Sequence, residues 1–177
     1  LTFNYTFDNG VGNVVDPTIK QVVAIKYEAP TITNLDSGNY TAGNTETIID
    51  SDKTVTIKDK ALQVLTNGGD YGNASSPFEV IISRSGGANP LDKFSIENVG
   101  NITVSSNAIT FKDNGNDHQI ATITNANGQL DIKFTSANGT IVSQAIVNQV
   151  VGAIKFSTTD LSIGDGDPAA LTYKLSN

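Results

Sequence analysis

Residues 92–134, DKFSIENVGNITVSSNAITFKDNGNDHQIATITNANGQLDIKF, contain the runs KFSIE, NITV, AITFK, QIATIT and QLDIKF, each alternating apolar with polar positions and each bounded by Gly, Asn, Asp or Ser. A period of two puts one side of a strand in a core and the other in water. Runs this short and closely spaced predict an antiparallel Greek-key β-sandwich, an all-β fold. Working outward, TITNL, ETIID, TVTIK and PFEVIISRS upstream, and GAIKFST and ALTYKL downstream, read the same way. One segment departs from the pattern. In TIVSQAIVNQVV (140–151), Val142, Ala145, Ile146, Gln149 and Val150 recur at three-and-four spacing. This predicts one short α-helix, with Thr140 as N-cap and Gly152 as stop. Its many β-branched residues leave a strand as the alternative.

The two ends of the chain match. LTFNYTF (1–7) and LTYKLSN (171–177) share an alternating Leu-Thr-aromatic opening, and a repeat at both extremities suggests a piece of an array. After the turn DNGVGN, the run IKQVVAIKY sets Ile19, Gln21, Val23, Ile25 and Tyr27 on one face, as the second arm of a long hairpin. Pro30 cannot donate to a ladder, so a module boundary is expected there. Residues 1–29 are then the terminal hairpin of a preceding repeat plus linker, and 30–177 the sandwich module.

With 177 residues, 38% of them hydrophobic, the chain can bury one good core and a leading piece. It has no apolar run of bilayer-spanning length, so no membrane span is expected, and any export signal is expected to lie outside this sequence. The absence of Cys excludes disulfides and thiolate metal sites and is compatible with bacterial secretion. A net charge of −7 and a pI near 4.5 argue against nucleic-acid binding and favour cations as partners.

Calcium takes six to eight oxygen ligands, which acidic loops supply. The candidates are Asp165 and Asp167 in IGDGDP, Asp50 and Asp52 in IDSD, Asp8 in FDNG, and Glu28 with Asp36 around the linker. The competing reading makes them turn formers and surface charges. His118, the sole histidine, reads as a loop residue at a strand start, and no elbow motif presents a serine nucleophile. Asp165 and Asp167 could mimic a glycosidase pair, but a chain without Trp lacks the usual sugar platforms. Phe3, Tyr5, Phe7, Phe78, Phe94, Phe111, Phe134, Phe156 and Tyr173 read as core. Tyr40 and Tyr71 lie in Gly/Asn loops where sugar contact is conceivable. The five sequons, at Asn4, Asn39, Asn73, Asn101 and Asn138, read as accidents of an Asn- and Thr-rich chain.

The stretch VVAIKYEAPTITNLDSGNYTAGNTETIIDSDKTVTIKDK (22–60) resembles the joint of bacterial cadherin-like, immunoglobulin-like repeats found in large secreted adhesins and RTX-type surface proteins. The run QLDIKFTSANGTIVSQAIVNQVVGAIKFSTTDLSIGDGDPAALTYKLSN (129–177) looks like the other half of such a repeat, and FEVIISRSGG, DKFSIENVGNITVSSNAITF and HQIATITNANGQLDIKF follow in the family's order. The resemblance implies an immunoglobulin-like sandwich, calcium as the only cofactor, and a calcium ligand near Asp59. Where the family carries an Asp-x-Asp pair, this chain has KDKALQV, so Asp59 lacks its acidic neighbour. The Gly/Asp nonapeptides of the RTX roll are absent too, which makes this a stalk-type module.

The expected function is structural and non-catalytic: a module of a secreted bacterial surface protein, in an adhesin stalk, surface fibre or layer. Its partners would be copies of itself or neighbouring repeats. The alternative is a carbohydrate- or receptor-binding adhesin module, with a host or surface glycan as partner. If LTYKLSN is equivalent to LTFNYTF, the strand corresponding to IKQVVAIKY is missing after residue 177, leaving an open edge. A neighbouring copy's residues 18–27, with Ile19, Val23, Ile25 and Tyr27 as contacts, would close it. The competing readings are an arbitrary cut from one continuous polypeptide and self-closure by the chain's own hairpin.

Overall fold

In a computed structural model, which describes residues 2–3, 7–8, 13–14, 21–22, 28–36, 46–63, 69–136, 139–163 and 169–177, two Asn-Gly pairs fix the register of the largest sheet. Asn114 and Gly115 both have positive φ (48° and 85°), as do Asn127 and Gly128 (53° and 76°). This backbone gives the two-residue turn whose twist matches that of paired strands. The first pair joins β11 (Ala108–Asp113) to β12 (Asn116–Ala126), and the second joins β12 to β13 (Gln129–Phe134). Gly128 is also required by space, since a Cβ there would lie 1.8 Å from the Asn89 carbonyl oxygen.

With β8 (Glu79–Arg84), β10 (Ile102–Val104) and β15 (Leu171–Ser176), these strands form a six-stranded antiparallel sheet in the order β10-β11-β12-β13-β8-β15. Alternation decides which side is buried. Val80 and Ile82 of β8 and Leu130, Ile132 and Phe134 of β13 are fully enclosed. On β12 the alternation fails once. Ile109 pairs with Ala121 but Thr110 with Gln119, so Ile120 is an extra residue, and Ile120 and Ala121 are both buried.

The opposing layer contains β6 (Thr47–Ile48), β14 (Ile154–Thr158) and β9 (Asp92–Ile96) in the order β6-β14-β9, together with the pair β5 (Thr31–Thr33) and β7 (Thr56–Lys58). Phe94 and Phe156 meet here with ring centroids 5.3 Å apart. Residues from both layers share one core cluster. The chain is an all-β antiparallel sandwich with a short helix, as the alternation predicts.

That helix, α2 (Gln144–Gly152), buries Ile146, Val147, Val150 and Val151 and ends where Gly152 suggested. Its N-cap is Ser143 rather than Thr140. The reason is that the Val142 N–H donates to Asp70 and the Val142 carbonyl accepts from Tyr71, which keeps the preceding residues out of the helix. α2 also completes a sheet edge. Asn148 Oδ1 accepts the Ile57 N–H at 2.9 Å and Gln144 Nε2 donates to the Ile57 carbonyl at 2.6 Å, so two side-chain amides continue the ladder of β7. A second helix of one turn, α1 (Lys60–Gln63), was not expected; Asp59 nucleates it by accepting the N–H groups of Ala61 and Leu62.

At the amino end, β1 (Thr2–Phe3) pairs antiparallel with β4 (Gln21–Val22), setting Thr2 opposite Val22 and Phe3 opposite Gln21. β2 (Phe7–Asp8) pairs with β3 (Asn13–Val14). β1 and β4 fall in the two runs read as hairpin arms, whereas Asp8 and Asn13, read as the ends of the turn, pair with each other. A two-stranded ribbon by itself is marginally stable in water.

Candidate functional site

The linker residue Asp36 meets the turn that follows β6. One carboxylate oxygen from each of Asp36, Asp50 and Asp52 lies within 4.8 Å of the others. Asp50 is only 1% exposed, and its oxygens accept the N–H groups of Val55 (2.9 Å) and Asp36 (3.4 Å). Asp36 accepts the Ser51 hydroxyl (2.8 Å) and the Asp52 N–H (3.3 Å). Asp52 accepts the Thr54 hydroxyl and N–H, and these bonds, the hydroxyl foremost, hold its carboxyl below the usual range. A carboxylate has about four acceptor positions, so three of them can accept these bonds and still present oxygens to a hard cation.

The other sequence candidates go elsewhere. Glu28 forms an exposed ion pair with Lys60. Asp59 caps α1 with one oxygen and accepts the Asn177 side-chain amide with the other (2.6 Å). Asp8 lies in β2, its side chain outside the described residues; Asp165, Asp167, Ile19, Val23, Ile25 and Tyr27 also lie outside them, as does Tyr40. Tyr71, read from sequence as a loop residue open to sugar, is fully buried, its ring edge-on to Phe78 at 5.0 Å. His118 sits inside β12 opposite Phe111.

One cluster escaped the sequence reading. Arg84 follows Val80 and Ile82 on the inward side of β8 and binds Asp92 of β9 through Nε (3.0 Å) and Nη2, and Asp160 through Nη1 (2.7 Å). Asn89 (2.8 Å) and the Ser162 hydroxyl (2.6 Å) also donate to Asp160. Ser162 first, and then Arg84, pull the Asp160 carboxyl down to about 2. This network ties the two layers together. A cation in an otherwise apolar alternating row is the signal that could have found it.

Among the described residues β15 is the last strand in its sheet order, paired with β8. Leu171, Tyr173 and Leu175 are half-buried against the core. The Tyr173 hydroxyl is buried and has no hydrogen-bond partner among the described residues; burial, and then the charge of Asp50, raise its pKa. On the outward face, Asp131 Oδ1 is likewise buried without a described partner, and burial followed by the neighbouring Glu79 pushes its carboxyl up. Farther along, Phe111, Asp113, His118, Gly139, Thr140 and Ile141 line an open groove of about 460 Å³. Comparison with known proteins finds no matching family model, curated protein or solved structure.

Proposed function

We propose that the chain is a non-catalytic structural module of a secreted bacterial surface protein, part of an adhesin stalk, fibre or layer, whose copies join head to tail by strand exchange. The observation that carries this reading is the position of β15. Among the described residues the phrase LTYKLSN stands at the end of a six-stranded sheet, with its own Leu171, Tyr173 and Leu175 side chains half-buried. An edge of that kind is a template for an added strand. A head-to-tail contact that does not close on itself generates a filament. Sedimentation velocity and negative-stain microscopy across a concentration series test the reading: filaments or a ladder of oligomers are expected, and a monomer at every concentration would refute it.

The groove beside Phe111 favours a second reading, a glycan-binding adhesin module, because an aromatic ring flanked by a carboxylate, an imidazole and a hydroxyl suits a sugar. A glycan array with wild type and Phe111→Ala separates the two readings.

A further inference from the structure

We infer that β1 is a built-in placeholder for β15 of a second copy, and that the assembled joint sets Thr172 of one copy opposite Val22 of the next and Tyr173 opposite Gln21. This rests on the self-assembly reading above and adds its register and its control. The template is the chain's own hairpin. LTFNYTF and LTYKLSN agree in the order Leu, Thr, aromatic, polar, large, hydroxyl, and the first of them pairs antiparallel with β4, Thr2 opposite Val22 and Phe3 opposite Gln21. Replacing Thr2 and Phe3 by Thr172 and Tyr173 preserves the antiparallel ladder.

Gln21 supports this register. It is the one amide in the alternating row Ile19, Gln21, Val23, Ile25 and Tyr27. Tyr173 is the one residue of the inward β15 row with a polar atom, a hydroxyl buried with no partner among the described residues. A buried donor left unmade is costly, and an amide opposite it relieves the cost. The exchange runs downhill for a further reason. Released from Thr2 and Phe3, Gln21 and Val22 leave a two-stranded pairing that is marginal by itself and join, in a seventh strand, a sheet that already has a core.

A chain without cysteine makes the test clean. Copies carrying Thr172→Cys are mixed with copies carrying Val22→Cys or, as the off-register control, Gln21→Cys. Directly opposed positions satisfy disulfide geometry and neighbours on the other face do not, so the on-register mixture should cross-link about tenfold faster. A Thr2→Cys/Val22→Cys double variant, oxidised within one copy, should assemble about tenfold less and recover on reduction, because the placeholder then cannot leave. Filaments without the register-specific cross-link, or a locked hairpin that assembles as fast as the reduced one, would overturn this inference while leaving the self-assembly reading intact. Absence of assembly in wild type and in the reduced variant would overturn both.

Discussion

Arg84 shows how one residue can hold two layers together. Its side chain is 16% exposed and the Asp92 side chain fully buried, so Arg84→Met strands a carboxylate in the core. Breaking such a pair costs about 3 kcal/mol, whereas Arg84→Met with Asp92→Leu should recover most of the loss, both read from urea unfolding. Asp160 gives the network a pH signature. Its folded carboxyl is held at about 2 against an ordinary 3.8, so its contribution is present above that ordinary value and is lost as pH falls toward 2. Asp160→Asn should flatten that limb of a plot of urea midpoint against pH. Asp131 has the opposite sign. Burial and Glu79 raise its pKa, so its ionised form opposes folding at neutral pH and the opposition fades as acid protonates it. Asp131→Asn should therefore stabilise the fold at pH 7 by roughly 0.5 kcal/mol, an advantage that shrinks on acidification. Among the acidic candidates, sequence identified Asp50 and Asp52 as neighbours. That Asp36 joins them while Glu28 and Asp59 do not depends on how the linker lies against the β6 turn, which spacing along the chain does not encode.

At the scale of elements, the strands were legible because each carries its own alternation and its own turn residues. QLDIKF and the strand read from it coincide, and KFSIE is displaced by one residue. What local pattern could not reveal is set by contacts distant in sequence. Ser143 caps α2 because Asp70 and Tyr71 hold Val142, and α1 exists because Asp59 turns its carboxylate onto two amides. The role of Asn148 was hidden for the same reason, its partner Ile57 being 91 residues away. Removing it tests whether the helix truly completes the β7 ladder. Asn148→Ala leaves the N–H of a fully buried residue unpaired, at a cost of about 1–3 kcal/mol. Hydrogen exchange at the Ile57 amide should accelerate more than at amides of the six-stranded sheet. Equal acceleration everywhere would mean that the helix contributes only bulk packing.

The whole molecule carries a net charge of −7, so copies that meet end to end repel one another before any strand is exchanged. Screening shortens that repulsion from about 30 Å at 0.01 M salt to about 10 Å at 0.1 M. Assembly should accordingly quicken with sodium chloride and slow at low ionic strength. Calcium would act through the same screening and, if the Asp36, Asp50 and Asp52 oxygens take the ion, through a second route that sodium lacks. At tenfold its Kd, a ligand bound only by the folded chain adds about 1.4 kcal/mol. For a chain of this length that is a rise in Tm of roughly 3–6 °C. The ion would bind the linker residue Asp36 to the turn after β6 and so stiffen the approach to Pro30. The comparison that isolates this route is millimolar calcium against chelator, with sodium chloride matched to the same ionic strength, on wild type and on Asp36→Asn/Asp52→Asn. A Tm rise and a smaller hydrodynamic radius in wild type alone are expected. If both proteins respond equally, or neither responds, the corner holds no calcium and its three carboxylates serve only the turns whose amides and hydroxyls they accept.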